Sequence, residues 1–206
     1  MKPGKKKKHA HLWVRHPDDW YVEPDWCNDA LFSAVKFTGL VFDPCCGFGR
    51  VLDAAAAAGL ETYGMDIARR FKVQGHRFRL GNFFQTNYEA DNIASNPPYK
   101  HSENFLKEAL TRSRRLTAVL LNAQWANAGD RSRWLESLPL RYVLALSPRP
   151  SMPPGPVIEA GISPGGGRQD FSWFVFERGY TGKPEFGWAR RPATSVRKRS
   201  AAGESK

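Results

Sequence analysis

The sequence has few cysteines and no long apolar segment. Two of its three cysteines are adjacent, at Cys45 and Cys46, so they offer neither a disulfide framework nor the spacing of a metal site, and its five histidines are scattered. No stretch approaches the roughly eighteen apolar residues of a membrane span. The lysines at positions 5–8 are followed by His and Trp rather than by the apolar core of a signal peptide. We therefore expect a soluble, cytoplasmic protein that binds no metal and no membrane.

The positive charge is concentrated at the two ends of the chain. Residues 1–16 carry six basic and no acidic side chains, and residues 183–206 carry seven basic and two acidic ones, whereas the remainder has 18 of each sign. We predict a flexible basic arm over residues 1–16, a single domain over 17–190 and a disordered basic tail over 191–206. Such arms attract nucleic-acid phosphates, although they also serve as simple solubility tails.

A glycine-rich turn lies between a short apolar run and a strong helix former. The run at 41–43 ends in Asp43, Gly47 and Gly49 permit a tight turn, and the alanine-rich residues 51–58 end at Gly59. The next apolar stretch ends in Asp66, about twenty residues after the turn, where nucleotide-binding α/β units place the acid that holds a ribose diol. This order predicts strand, glycine loop, helix, strand and a nucleotide-like ligand.

A second motif follows about fifty residues after the glycine loop. An exocyclic amine such as that of adenine is a poor nucleophile, because its lone pair is delocalised into the ring. An asparagine side-chain carbonyl and the backbone carbonyl after it can both accept hydrogen bonds from one such amine and favour its pyramidal form. Two prolines stiffen the turn, and a tyrosine offers a ring for an extruded base. The motif that supplies these groups is Asn96-Pro97-Pro98-Tyr99, called the NPPY motif below.

Together these motifs resemble those of the class I S-adenosylmethionine-dependent methyltransferases, and among them the DNA adenine methyltransferases of phage and restriction-modification type. The resemblance implies S-adenosyl-L-methionine as cofactor and the NPPY motif as the catalytic element. Glu23 occupies a position where that family usually has Thr, and Asn82 one where it usually has Asp. The residues that the resemblance places at the cofactor are Tyr21, Pro24, Asp43, Pro44, Cys45, Gly47, Gly49, Asp66, Ile67, Asn82, Phe83 and Asn96. Those expected at the substrate are Tyr99, Lys100 and Trp125.

The remaining chain continues an alternating pattern of helices and strands. Helices are predicted over 103–115 and 131–137, and strands over 116–121, 141–146 and 171–176. We expect an α/β, Rossmann-like class I methyltransferase fold with a mostly parallel twisted sheet, an antiparallel last strand and helices on both faces. Residues 148–169, rich in Pro and Gly, are interpreted as a substrate-side flap, with an idle surface loop as the alternative.

The sequence leaves little room for a separate target-recognition domain, because few residues separate the NPPY motif from the next strand. We expect a DNA adenine-N6 methyltransferase of modest sequence specificity. The alternatives are an RNA adenine methyltransferase or a protein glutamine methyltransferase with the same chemistry, and a nucleic-acid-binding protein without activity. The target sequence and the oligomeric state stay open.

Overall fold

Eight strands form one sheet in the computed structural model of the protein, which describes residues 16–70 and 75–193. The strands are β1 (Leu40–Asp43), β2 (Glu61–Asp66), β3 (Arg77–Leu80), β4 (Ala90–Ser95), β5 (Ser113–Asn122), β6 (Leu140–Ser147), β7 (Phe171–Glu177) and β8 (Glu185–Arg190). The helices are α1 (Asp25–Ala34), α2 (Arg50–Ala57), α3 (Ser102–Arg112), α4 (Gly129–Glu136) and α5 (Gly155–Glu159).

The strand order across the sheet is β3-β2-β1-β4-β5-β7-β6-β8. All neighbouring pairs from β3 to β5 are parallel, β7 runs antiparallel between β5 and β6, and β8 runs parallel to β6. The predicted fold class, with its mostly parallel sheet and antiparallel C-terminal strand, is confirmed. It follows from this topology that β1, β2, β4, β5, β6 and β8 all end at the same edge of the sheet.

Apolar side chains cover both faces of the central strands, as expected for a parallel sheet enclosed by helices. One face packs against α1 and α2, where Leu31 and Val51 are buried beside Trp173 of β7. The other packs against α3, where Phe105 is buried beside Phe174. The sheet thus lies between two layers of helices, which support the residues at its carboxyl edge.

The structure changes several predicted boundaries and adds elements that were not predicted, among them α1, β3 and β8. The helix predicted over 103–115 ends at Arg112, and the next residue already begins β5. Sequence analysis did not predict β8, which adds an eighth strand at the edge of the sheet. The predicted flap over 148–169 contains the short helix α5. Nearly all of the predicted basic arms, residues 1–15 and 194–206, lies outside the described residues.

Within residues 16–70 and 75–193, none of the helices has both the length and the apolar character needed to cross a membrane. The same residues include no group of three or more His, Cys, Asp or Glu side chains arranged to hold a metal ion.

Candidate active site

The glycine loop joins the end of β1 to the start of α2. Asp43 closes the strand and accepts a hydrogen bond from the Cys45 backbone N–H at 3.0 Å, which forms the first turn of the loop. Gly47 and Gly49 have φ angles of +48° and +77°, a region that side chains with a Cβ rarely adopt. The loop therefore needs glycine at both positions, as the sequence indicated.

Asp66, at the end of β2, ties the loop to the neighbouring strand. Its carboxylate accepts hydrogen bonds from the Gly47 N–H at 2.9 Å and from the Ala68 N–H at 3.1 Å. Arg70 adds an ion pair at 3.3 Å. A carboxylate offers about four acceptor positions, so Asp66 keeps capacity for a ligand hydroxyl while it stabilises the loop.

These elements enclose a cavity of about 610 Å³, within the range typical of small-molecule sites. Eleven of the predicted site residues line it: Tyr21, Asp43, Pro44, Cys45, Gly47, Asp66, Ile67, Asn82, Phe83, Asn96 and Pro98. Six do not line it: Pro24, Gly49, Pro97, Tyr99, Lys100 and Trp125.

Asn96 of the NPPY motif follows the last residue of β4, so its side chain lies at the carboxyl edge of the sheet. Its amide nitrogen donates to the Tyr21 carbonyl oxygen at 3.1 Å and to the Glu23 carboxylate at 2.8 Å. The Tyr21 carbonyl can only accept, which fixes the orientation of the amide. The Asn96 Oδ1 atom is buried and has no hydrogen-bond partner among the described residues. Asn96 lines the cavity, so this unpaired acceptor atom belongs to a residue of the cavity wall.

Glu23 is a buried carboxylate that sequence analysis treated only as a departure from a family pattern. Only 6% of it is exposed, and it accepts hydrogen bonds from the Asn28 and Asn96 amides at 2.9 and 2.8 Å. Arg50 donates to its backbone carbonyl. Burial raises the pKa of Glu23, while the Asn28 hydrogen bond and the Arg50 charge oppose that rise. In the sequence, the departure of Glu23 from the family pattern was the available sign that this position is unusual.

Asp43 is still more enclosed, with 1% of it exposed. Burial raises the pKa of Asp43 to about 8, although hydrogen bonds from the Ser95 hydroxyl at 2.7 Å and from the Cys45 N–H favour the ionised form. This acid lines the cavity and takes up a proton near neutral pH, so its charge depends on what binds beside it.

The three residues predicted to contact substrate, Tyr99, Lys100 and Trp125, do not line the cavity. One face of the Tyr99 ring is stacked on Tyr21, with centroids 5.8 Å apart, and Phe171 lies 5.9 Å away. Lys100 is exposed, and its backbone N–H donates to Asp19 at 2.8 Å. The Trp125 ring packs against Trp134 and Phe174 and lies beneath the Arg131 guanidinium, and it is partly buried against the core.

The segment before α1 covers the glycine loop. The Trp20 ring packs 5.2 Å from Phe48 and lies 4.3 Å beneath the Arg70 guanidinium, which also pairs with Asp18 at 3.1 Å. The start of the predicted flap holds this segment in place, since the Gly155 N–H donates to the Trp20 carbonyl at 3.1 Å. A Cβ at Gly155 would lie 2.2 Å from the Trp20 indole.

Comparison with known proteins finds similarity in structure. No protein-family model and no curated protein sequence matches the chain. A candidate RNA methyltransferase from Pyrococcus horikoshii superposes with a TM-score of 0.52 at 14% identity, over 74% of this chain and 81% of that one. The magnesium protoporphyrin IX methyltransferase of Synechocystis, solved with bound S-adenosylmethionine, superposes with a TM-score of 0.50 at 13% identity, over 72% and 74%.

The chain has the class I methyltransferase fold. At these identities the similarity extends to the architecture alone. In this methyltransferase fold the cavity opens at the carboxyl edge of the sheet, where open α/β sheets bind their ligands.

Proposed function

We propose that this protein transfers a methyl group from S-adenosylmethionine to the exocyclic amine of adenine in DNA. The observation that carries the proposal is the Asn96 side chain, which belongs to a residue that lines the cavity and whose buried Oδ1 atom has no hydrogen-bond partner among the described residues. A buried polar atom left unpaired costs free energy, which a ligand N–H recovers on binding.

The residues around the cavity suit the cofactor. S-adenosylmethionine carries a sulfonium and an ammonium group against one carboxylate, so its net charge is positive. The cavity offers the matching acids Glu23, Asp43 and Asp66. Asp66 would hold the ribose hydroxyls, the glycine loop would pass close to the methionine part, and Ile67 and Phe83 would contact the adenine.

The chemistry requires little of the protein beyond hydrogen bonding and position. S-adenosylmethionine supplies an electrophilic methyl group. In the chemistry that the NPPY resemblance implies, the Asn96 Oδ1 and the carbonyl of the next residue, Pro97, would accept the two N–H bonds of the target amine and localise its lone pair for in-line attack. The methyl group would pass from the sulfonium to the amine nitrogen with S-adenosylhomocysteine as the leaving group, and the proton on the methylated nitrogen would leave to water. No side-chain nucleophile takes part.

RNA adenine is the second candidate substrate. The similarity to a candidate RNA methyltransferase favours it, and the NPPY chemistry is the same for an adenine in either polymer. In both cases the base must leave its stack to reach the Asn96 side chain.

Incubation with labelled S-adenosylmethionine and a panel of duplex DNA, single-stranded DNA, ribosomal RNA and protein tests the proposal directly. Label recovered as N6-methyladenine from DNA supports it. Label found only in RNA favours the second candidate, and label found only in glutamine rules out adenine as the target. The Asn96→Ala variant is the control for a contaminating activity.

A further inference from the structure

The edge strand β8 exposes two aromatic side chains on one face. Phe186 and Trp188 are 63% and 60% exposed, and their alternate positions put them on the same side of the strand. Their rings are in an edge-to-face contact with centroids 5.2 Å apart. The Arg190 guanidinium lies 5.6 Å over the Trp188 ring. Two exposed rings in contact, with a cation beside them, form one continuous surface, unlike a single exposed aromatic residue.

The position of β8 relates this surface to the cavity. Because β8 runs parallel to β6, Arg190 lies at the same sheet edge as Asp43 and Ser95. Four strand spacings separate β8 from β4, which is about 19 Å, the length of a few nucleotides. A polymer with its target base at Asn96 can therefore reach the exposed rings.

We propose that the exposed face of β8, formed by Phe186, Trp188 and Arg190, binds an unpaired stretch of nucleic acid next to the target adenine. The inference rests on the proposed function and deepens it, since it specifies a single-stranded substrate. Every base has a π-face on which an aromatic ring can stack, whereas paired bases within a duplex have no free face.

Charge favours a polyanion as the occupant. Residues 183–193 contain three basic side chains and a single acidic one, Glu185, and the sequence after them adds four basic residues and only Glu204. The electropositive surroundings complement phosphates, and the rings complement bases.

Fluorescence anisotropy with a labelled single strand of about twelve nucleotides, as DNA and as RNA, tests the inference on the full chain. Phe186→Ala and Trp188→Ala should each weaken binding about fivefold to a hundredfold, the range measured for loss of one stacked base. The slope of log affinity against log salt should stay the same, because stacking releases no counterions. Trp188→Phe should restore most of the affinity.

Leu80→Ala is the matched control, since Leu80 is 57% exposed and lies on β3, at the opposite edge of the sheet from β8. It should leave affinity unchanged, as should a duplex ligand compared between the wild type and the Trp188 variant. Unchanged single-strand affinity in the Phe186→Ala and Trp188→Ala double variant would overturn the inference. Light scattering would also overturn the inference if the wild type were a dimer, the double variant were a monomer, and both bound the oligonucleotide with the same affinity.

The two proposals fail in different ways. If the double variant methylates single strands with the KM of the wild type, the β8 surface is wrong and the methyltransferase proposal stands. If the wild type binds single strands through these rings but transfers no methyl group to any nucleic acid, the β8 surface stands and the reaction is wrong.

Discussion

The Asn96 amide nitrogen lies 2.8 Å from the carboxylate of Glu23, a residue 73 positions earlier in the chain. This hydrogen bond links the NPPY motif to the segment that precedes α1. It leaves the opposite end of the same amide, Oδ1, without a hydrogen-bond partner among the described residues. We therefore propose Glu23 as a positioning residue that acts on the candidate reaction through Asn96.

Removal of the acceptor should separate binding from chemistry. Asn96→Ala should keep S-adenosylmethionine affinity within a few-fold and lose methyl transfer by about a hundredfold or more, the scale for one preorganised hydrogen-bond partner. Calorimetry measures the affinity, and single-turnover kinetics measure the transfer. Full transfer by this variant would show that the NPPY motif is only a turn.

Substitution of Asn96 and Glu23, singly and together, should show that Asn96 is the donor and Glu23 the acceptor of their hydrogen bond. Asn96→Asp puts two carboxylates in contact, which cannot both ionise readily, so kcat should fall about a hundredfold. Adding Glu23→Gln supplies a donor to the new carboxylate and should recover at least about tenfold of that loss. Simple additivity of the two substitutions in a double-mutant cycle would contradict the role of Glu23.

Asp66 should contribute to cofactor affinity and to loop structure together. Asp66→Ala should weaken S-adenosylmethionine binding by about 1–3 kcal/mol, because the ribose diol loses a charge-assisted acceptor. Arg70→Gln is the control, since it removes the ion pair and leaves the carboxylate. Equal affinity of Asp66→Ala and wild type in calorimetry would mean that Asp66 serves only Gly47 and Ala68.

Cofactor binding should release a proton from Asp43. Since the pKa of Asp43 is raised to about 8, the acid is mostly protonated at neutral pH, and a cationic ligand favours its ionised form. Affinity should therefore rise with pH up to about 8, by at most about tenfold per pH unit. Calorimetry in buffers of different ionisation enthalpy counts the released proton. Asp43→Asn should show no such release.

The raised pKa of Asp43 should also lower the stability of the folded protein as pH rises, whereas it makes cofactor affinity increase with pH. Between the unfolded pKa of about 4 and the folded pKa of about 8, the folded state binds a proton that the unfolded state does not, so stability falls as pH rises. The free energy of unfolding, measured in urea from about pH 5 to about pH 8, should decline less steeply in Asp43→Asn, which keeps the acceptor for Ser95. A wild-type curve parallel to that of the variant would refute the shift.

A methyl group at Gly155 should disturb the segment over the cavity. Gly155→Ala places a Cβ against the Trp20 ring and should destabilise the fold by about 1–3 kcal/mol, as overpacking usually does. Gly129→Ala is the matched control, because no atom lies within 4 Å of its added Cβ. Equal stability of both variants in urea would show that Trp20 moves freely.

The order of the central elements was predictable because short-range signals determine it. Gly47 and Gly49 need positive φ, the alanines of α2 favour a helix, and Asp66 ends the next apolar run, so strand, loop, helix and strand follow from local sequence. The approach of Asp66 to Gly47 then follows from parallel pairing of β1 with β2.

Other contacts depend on distant parts of the chain, and local sequence carries no sign of them. Glu23 meets Asn96 only because the segment before α1 crosses the carboxyl edge of the sheet. Trp125 follows a strand end, as a substrate-binding residue would, but the neighbouring Trp134 and Phe174 bury much of its ring. In β8 the alternating Phe186 and Trp188 are exposed and Ala189 is buried, so the strand depends on its pairing with the distant β6.

Because β8 is parallel to β6, any group attached after this strand starts at the carboxyl edge of the sheet. The strand ends at Arg190 on the side of the sheet where the cavity opens, and the Arg191 N–H donates to the Ser147 carbonyl there at 2.8 Å. A label, tag or oligonucleotide attached just after residue 193 starts on that side, where a short tether gives an effective concentration of the order of millimolar. A substrate strand linked at this point would meet the cavity as an intramolecular reactant.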